Sequence, residues 1–411
     1  MADVLKGNVV IGQSGGPTAV INQSLAGLVS ALKDVRGIGK IYGMRHGVTG
    51  LGRGEVVDLG RVRAPLLRAV AATPSAALGS SREKPDRESC ARVLERCREL
   101  GASYFFYIGG NDSSDTCRIV AELAESSGRE LRCFHVPKTV DNDLMGSDHT
   151  PGFPSAARFV ATAFMGDNLD NASLPGIKIN VVMGRHAGFL TAASALARRH
   201  DDDGPHLIYL PEVPFDTDRF IADVASVHAR LGRCQIAVSE GIVGADGRAI
   251  TTTLLPSGEV DPHGNVQLSG TGALGDALAQ LVKGKVRPGG KAPRVRADTF
   301  GYLQRCWPDP SPVDAREARG VGAFAARLAR SGKRSGSVAI RRVSDRPYKV
   351  AFARLELAEV AAKTRHMPAE FIAGHNDVTP AFIRYCRPLV GKLPEMARLE
   401  RPRSTPRPPS R

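Results

Sequence analysis

Cys133-Phe134-His135-Val136-Pro137-Lys138-Thr139-Val140-Asp141-Asn142-Asp143 reads as a short apolar strand running straight into a loop that bears a lysine and two carboxylates. Apolar runs of this length, ended by Pro or Gly, belong to strands of a sheet buried between helices. The pattern recurs on both sides. Val9-Val-Ile-Gly and Tyr104-Phe-Phe-Tyr-Ile precede it, and Ile177-Lys-Ile-Asn-Val-Val, Leu207-Ile-Tyr-Leu and Gln235-Ile-Ala-Val-Ser follow it. Helical stretches such as Gln23 to Leu32 lie between these runs. Alternating strands and helices build parallel-rich sheets covered on both faces, so the chain is predicted to be α/β. Ligands of such sheets bind just beyond the carboxyl ends of the strands, which makes the loops the place to look for chemistry.

Three strand-end loops have the right residues. Gln13-Ser14-Gly15-Gly16-Pro17-Thr18-Ala19-Val20-Ile21-Asn22 enters a helix, and its glycines let backbone N–H groups approach phosphate oxygens. It matches neither the dinucleotide fingerprint nor the Walker A pattern, and a tight strand-to-helix turn explains it as well. Gly109-Gly110-Asn111-Asp112-Ser113-Ser114-Asp115-Thr116 also opens a helix. Asn111 and Asp112 offer the hard oxygens that magnesium takes, although Asp112 and Ser113 are equally good helix caps. In the loop quoted first, one carboxylate can accept a hydroxyl proton while Lys138 neutralises a transferring phosphoryl group. An Asx-turn accounts for Asp-Asn-Asp but not for the preceding Pro-Lys-Thr.

Further on come Met183-Gly184-Arg185-His186-Ala187-Gly188-Phe189-Leu190, Pro211-Glu212, Ser239-Glu240-Gly241 and Arg296-Ala-Asp-Thr-Phe-Gly-Tyr302-Leu-Gln-Arg305. Arginines at element ends suit bidentate phosphate binding, and a carboxylate such as Glu240 can accept sugar hydroxyls. His186 is read as a packing or capping residue without chemistry.

Composition sets the outer bounds. At 411 residues, with 42% hydrophobic and 24% charged residues, the chain can bury a full core of two lobes. No long uncharged apolar run is present, and the N-terminus lacks a signal-peptide pattern, which predicts a cytoplasmic protein without a membrane partner. Seven cysteines without a C-x-x-C pair predict reduced thiols. The formal charge of +14 suits a nucleic acid, a membrane surface or small polyanionic substrates alike, and the 5% aromatic content argues against base-stacking platforms for a nucleic-acid partner. Glycine- and proline-rich stretches at Pro256 to Gly275 and Lys283 to Pro293 divide the main body from a smaller, more irregular part. That part holds a helical stretch, Ala315 to Ala329, and a Val360 to Ala369 region. From Arg387 to Arg411 seven Lys/Arg stand against two Glu, and with Pro402, Pro406, Pro408 and Pro409 there this end is predicted to be poorly ordered.

In this order the motifs from about Val9 to about Arg330 resemble the phosphofructokinase family, and in detail its pyrophosphate-dependent branch. ATP-using relatives carry Gly-Gly-Asp-Gly at the second motif and Gly-Thr-Ile-Asp-Asn-Asp at the third; here Asp112 and Lys138 stand at the differing positions. Asp112 puts bulk and negative charge where the α-phosphate of a nucleotide would lie, and Lys138 adds a cation for pyrophosphate. The resemblance implies two Rossmann-like lobes with parallel-rich sheets flanked by helices and an active site in the cleft between them. It implies a catalytic unit over residues 1–385, with a donor-binding lobe centred on 1–145 and a sugar-phosphate lobe centred on 146–310, and a basic tail over 386–411. The implied activity is reversible, Mg²⁺-dependent transfer from pyrophosphate to C1 of fructose 6-phosphate in glycolysis or gluconeogenesis. An ATP-dependent enzyme and a non-catalytic sugar-phosphate-binding subunit are the alternatives.

The resemblance also assigns roles. Asp141 becomes the proton acceptor, with Lys138, Thr139, Asp143 and Asp112 around the same reaction. Gly15, Gly16, Arg82, Asp112 and Lys138 would hold the diphosphate, and Asn111 and Asp112 the metal. Asn111 stands where most relatives have an aspartate, which shifts the metal toward the diphosphate and Asp112 or Asp143. Met183, Gly184, Arg185 and Glu240, with Thr139 and Asp141, would hold the sugar, and Tyr302 and Arg305 its 6-phosphate. Arg296 would reach that phosphate from a neighbouring subunit, which implies a homodimer or homotetramer. Gly176-Ile177-Lys178 replaces an expected arginine, so one phosphate contact between subunits would be either missing or made by Lys178.

Overall fold

The computed structural model describes residues 5–254, 272–332 and 334–399. Eleven strands form its two main sheets: β1 Gly7–Gln13, β2 Ile38–Met44, β3 Val56–Asp58, β4 Ala102–Gly109, β5 Arg132–Pro137, β6 Ile177–Val182, β7 Leu207–Tyr209, β8 Cys234–Ser239, β9 Val295–Thr299, β10 Gly336–Asp345 and β11 Tyr348–Leu355. The first sheet has the order β11-β10-β5-β4-β1-β2-β3 and the second β7-β8-β6-β9. The second is parallel throughout. The first is parallel from β10 to β2 and antiparallel at its two edges. The α/β expectation therefore holds, with every strand named from the sequence in place.

Five helices bear on the site: α1 Ile21–Lys33, α2 Asn111–Ser126, α3 Phe153–Ser173, α4 Pro312–Arg330 and α5 Pro380–Val390. Burial on both faces explains the unbroken apolar strands. On β1, Val9 and Ile11 pack with α1 and α4, while Val10 turns to the opposite face among Cys90, Cys117 and Phe105. Each such side chain contributes about 1.5–3 kcal/mol by leaving water. Helices α1 and α4 touch backbone to backbone. A Cβ at Gly27 would lie 2.1 Å from the Arg319 carbonyl oxygen, and one at Gly322 would lie 2.0 Å from that of Ser24.

Two readings of the C-terminal part need correction. It is not a separate irregular unit, because β10 and β11 complete the first sheet beside β5. Nor does the tail begin at 386. Helix α5 runs to Val390, and Phe382, Tyr385, Cys386 and Leu389 form a helical stripe buried in the core. Residues 400–411 of the expected tail, and 255–271 of the glycine- and proline-rich stretch, lie outside the described residues. The Val360 to Ala369 region is irregular beyond a short helix at Leu357–Val360. All seven cysteines carry free thiols. No helix among the described residues is long and apolar enough to cross a membrane.

Candidate active site

The loops after β1, β4 and β5 meet at the carboxyl edge of the first sheet. Gly15 adopts φ +73°, and its N–H donates to the Ser81 carbonyl at 2.9 Å, which brings the Ser80-Ser81-Arg82 segment alongside. Glycine is needed here because cations crowd the loop. A Cβ on Gly15 would lie 2.9 Å from Lys138 Nζ, and one on Gly16 would lie 2.9 Å from Arg305 Nε. Lys138 Nζ donates to the Gly16 carbonyl at 2.9 Å and is 2% exposed. Burial pushes this amine down to about 7, and the neighbouring Arg305 and Arg82 charges add to the effect against Asp141 and Asp143.

The backbone of the Lys138–Asp143 loop is pinned at both ends. Lys138 N–H donates to Gly109 O at 2.9 Å, Thr139 N–H to Pro151 O at 3.2 Å, and Asp141 N–H to Thr139 Oγ1 at 3.1 Å. Between the two aspartates, Asn142 is fully buried at φ +60°. Its Nδ2 donates to Tyr385 Oη at 2.8 Å and its Oδ1 accepts from Thr150 N–H at 3.0 Å. This left-handed residue is the pivot of the loop between Asp141 and Asp143. Burial raises the Asp141 carboxyl, while Arg305 and Lys138 pull it back. Asp143 is pushed up to about 7 by burial and by the Asp141 charge.

Asp143 Oδ2 accepts from Asn111 Nδ2 at 2.9 Å, which leaves Asp143 Oδ1 and Asn111 Oδ1 both buried without a hydrogen-bond partner. Two orphaned hard oxygens fit a magnesium ion that takes its remaining ligands from a diphosphate and water. Among the described residues no group of three His, Cys, Asp or Glu gathers as a metal cage. Asp112, by contrast, is exposed on the first turn of α2; partial desolvation raises its carboxyl, the Lys84 charge lowers it and Asp115 raises it. It lies at the rim, not in the buried cluster with Lys138.

The second sheet supplies the opposite wall. Gly184, at φ +128°, donates its N–H to Glu240 Oε1 at 3.5 Å, and Ser239 Oγ donates to Gly184 O at 2.7 Å. Burial, with the Asp141 charge second, pushes Glu240 up to about 7. Arg185 passes over Gly241, where a Cβ would lie 2.0 Å from the Arg185 carbonyl oxygen. Met183 N–H donates to Gln304 Oε1 at 3.3 Å. Arg305 stacks on the half-exposed Tyr302 ring at 4.3 Å, and its Nε is buried without a partner. Its guanidinium thus faces the donor loop as well as the sugar side.

The structure brings Gly15, Gly16, Lys138, Thr139, Asp141, Asp143, Asn111, Arg185, Glu240 and Arg305 around one cleft, with the Arg82 charge felt there. Arg296 stands apart, exposed on β9 with its Nη1 donating to the Val295 carbonyl at 3.0 Å. Lys178 is engaged by carboxylates instead of open to a phosphate: Asp167 holds it at 2.5 Å, with Asp170 and Asp298 at 3.4 and 3.8 Å. Sequence reasoning missed Asn142, Gln304 and the Arg365-His366 segment. Arg365 N–H donates to Asp143 O at 2.7 Å, and His366 Nδ1 donates to the His186 carbonyl at 2.8 Å. Only Asn142 had a signal, as the middle of an Asx-turn.

Comparison with known proteins gives a consistent picture. The phosphofructokinase family model matches residues 8–329. A pyrophosphate–fructose 6-phosphate 1-phosphotransferase of Rhodospirillum rubrum is 54% identical over 96% of this chain and 97% of its own. One of the same name from Halomonas elongata is 38% identical, again over 96% and 97%. The crystal structure of a pyrophosphate-dependent phosphofructokinase from Marinobacter aquaeolei superposes with a TM-score of 0.82 at 33% identity, covering 96% of this chain and 94% of that one.

Proposed function

Because the chain belongs to the phosphofructokinase family, we propose that it transfers a phosphoryl group reversibly from inorganic pyrophosphate to the C1 hydroxyl of fructose 6-phosphate, giving fructose 1,6-bisphosphate and phosphate. The observation that carries this reading is the Lys138 ammonium, buried between the Gly15-Gly16 loop and the two aspartates. A bare diphosphate lacks the nucleoside that anchors ATP, and a fixed, desolvated cation beside the reacting phosphate supplies the missing attraction.

Asp141 takes the proton of the C1 hydroxyl while the hydroxyl oxygen bonds to the terminal phosphorus. The bond from that phosphorus to the bridging oxygen breaks, and phosphate leaves with the electron pair. Lys138, Arg82 and Arg305 offset the negative charge on the transferring group, and Thr139 fixes the Asp141 backbone. Mg²⁺ would be held by Asn111 and Asp143, with Asp112 at the rim, and would neutralise diphosphate oxygens. The first sheet with its glycine loop serves the donor and the second sheet the sugar. Met183, Gly184, Arg185 and Glu240 grip the sugar, and Tyr302 and Arg305 its 6-phosphate. The exposed place of Arg296 suits a role in a neighbouring subunit's site, hence a homodimer or homotetramer. Free buried thiols suit a cytoplasmic enzyme.

Turnover of fructose 6-phosphate with each donor tests this. Fast, Mg²⁺-dependent reaction with pyrophosphate and none with ATP is expected; the reverse result would defeat the donor assignment.

A further inference from the structure

Glu317 on α4 and Asp148 in the loop after Asp143 are carboxylates that approach the same buried imidazole. His149 is 0% exposed, with Nδ1 2.8 Å from Asp148 Oδ2 and Nε2 2.7 Å from Glu317 Oε2. An ionised carboxylate only accepts hydrogen bonds, so both ring nitrogens must donate and the ring is an imidazolium. Burial works against that charge, yet the hydrogen bonds to the two carboxylates outweigh it and raise the pKa of His149.

Groups on several neighbouring elements extend the cluster. Arg342 on β10 donates to Asp148 Oδ2 at 3.0 and 3.2 Å and to the Tyr385 carbonyl at 3.0 Å. Tyr348 on β11 donates to Glu317 Oε2 at 3.3 Å. Tyr385 on α5 donates to the Asp148 carbonyl at 2.8 Å and accepts from Asn142, the pivot beside Asp141. Arg365 donates to the Ser147 and Asp148 carbonyls at 2.7 Å each. One turn before Glu317, Asp314 accepts from Gly152 and Ser155 N–H at 3.0 and 3.1 Å. With the His149 proton, two cations balance Asp148 and Glu317. Without it, one buried carboxylate would face a lone pair unpaired, an arrangement that drives partners apart.

We propose that His149 is a positioning residue: clamped between Asp148 and Glu317, it ties the loop that carries Asp141 and Asn142 to helix α4 and so sets where the Asp141 carboxylate stands. His149 does not reach the reacting atoms; it acts through Asp148, Tyr385 and Asn142. The inference rests on the proposed phosphoryl transfer.

The test compares the full-length wild type with His149→Gln and Glu317→Gln, using pyrophosphate and fructose 6-phosphate. Displacing a reacting group by a fraction of an ångström costs chemistry more than binding, so kcat is expected to fall about 10- to 100-fold while both KM values stay within about threefold. The clamp is complete below the His149 pKa and is lost as pH rises through it. Glu317→Gln removes one carboxylate and lowers that pKa, so the alkaline limb of kcat is expected to move to lower pH. Nitrogen-15 spectra of the wild type should show both His149 nitrogens protonated at neutral pH. If His149→Gln does not fold, Glu317→Gln and the spectra decide. Wild-type kcat in the variants, a loss that only tracks the fraction folded, an unmoved alkaline limb, or a neutral ring would each overturn the proposal. An inactive wild type would instead count against the reaction itself.

Discussion

Lys138 and Asp141 share one buried space, and what each does depends on charges that its neighbours impose. Asp141→Asn should lower kcat by about 10²- to 10⁴-fold, the usual share of a positioned base, with little change in the KM for pyrophosphate; steady-state kinetics in both directions would show it. An unchanged kcat would remove Asp141 from the chemistry. Lys138, with its pKa pushed down to about 7, is mostly neutral at about pH 8 in the empty cleft. A diphosphate beside it restores the proton, so binding of methylene diphosphonate at that pH should take up close to one proton, and affinity should weaken as pH rises through about 7. Calorimetry in two buffers of different ionisation enthalpy reads the uptake, and Lys138→Met should abolish it. The identity of these residues was legible in the sequence because phosphoryl transfer needs few residue types. Their electrostatics were not, because a pKa depends on burial and on Arg305, more than 150 positions away in the chain. The separation of exposed Asp112 from buried Lys138 was invisible for the same reason.

Loops hold these groups, and helices hold the loops. Asn142→Ala keeps a strained left-handed backbone and drops two buried hydrogen bonds, so it should cost about 2–4 kcal/mol in denaturant unfolding and lower kcat as well. Unchanged stability would mean that the loop is pinned elsewhere. Gly322→Ala pushes a methyl into the Ser24 carbonyl, where only backbone can yield. Overpacking of this kind should destabilise by about 1–3 kcal/mol, read as a lower midpoint in the same experiment. Central strands were legible because burial on both faces demands unbroken apolar runs, as in Tyr104 to Ile108. Elements at or next to the sheet edges were not. Strand β9, Val295-Arg-Ala-Asp-Thr, alternates buried and open residues, and β2 is interrupted by Gly39 and Gly43. The end of helix α5, from Cys386 to Val390, was read as tail because Arg387 and Pro388 mask its apolar stripe.

Across the whole molecule, the proposed sharing of active sites makes a direct prediction. Arg296→Ala and Asp141→Asn homo-oligomers should each be nearly inactive, yet hybrids formed by co-expression should regain activity, because one of their sites holds both intact residues. No recovery in isolated hybrids would place Arg296 outside catalysis. Sequence could not reveal the return of the chain to its first sheet, since the parallel pairing of β10 with β5 joins residues such as His135 and Ser337, 202 positions apart, and leaves no local trace. That return governs how the protein can be made. While the polypeptide emerges from a ribosome, the second sheet can assemble as soon as Thr299 is available, whereas the first waits with β5 unpaired along one side until residues past 336 appear. A stop codon placed after the last of the site motifs, near residue 330, would therefore release a polypeptide with an open sheet margin and a marked tendency to aggregate.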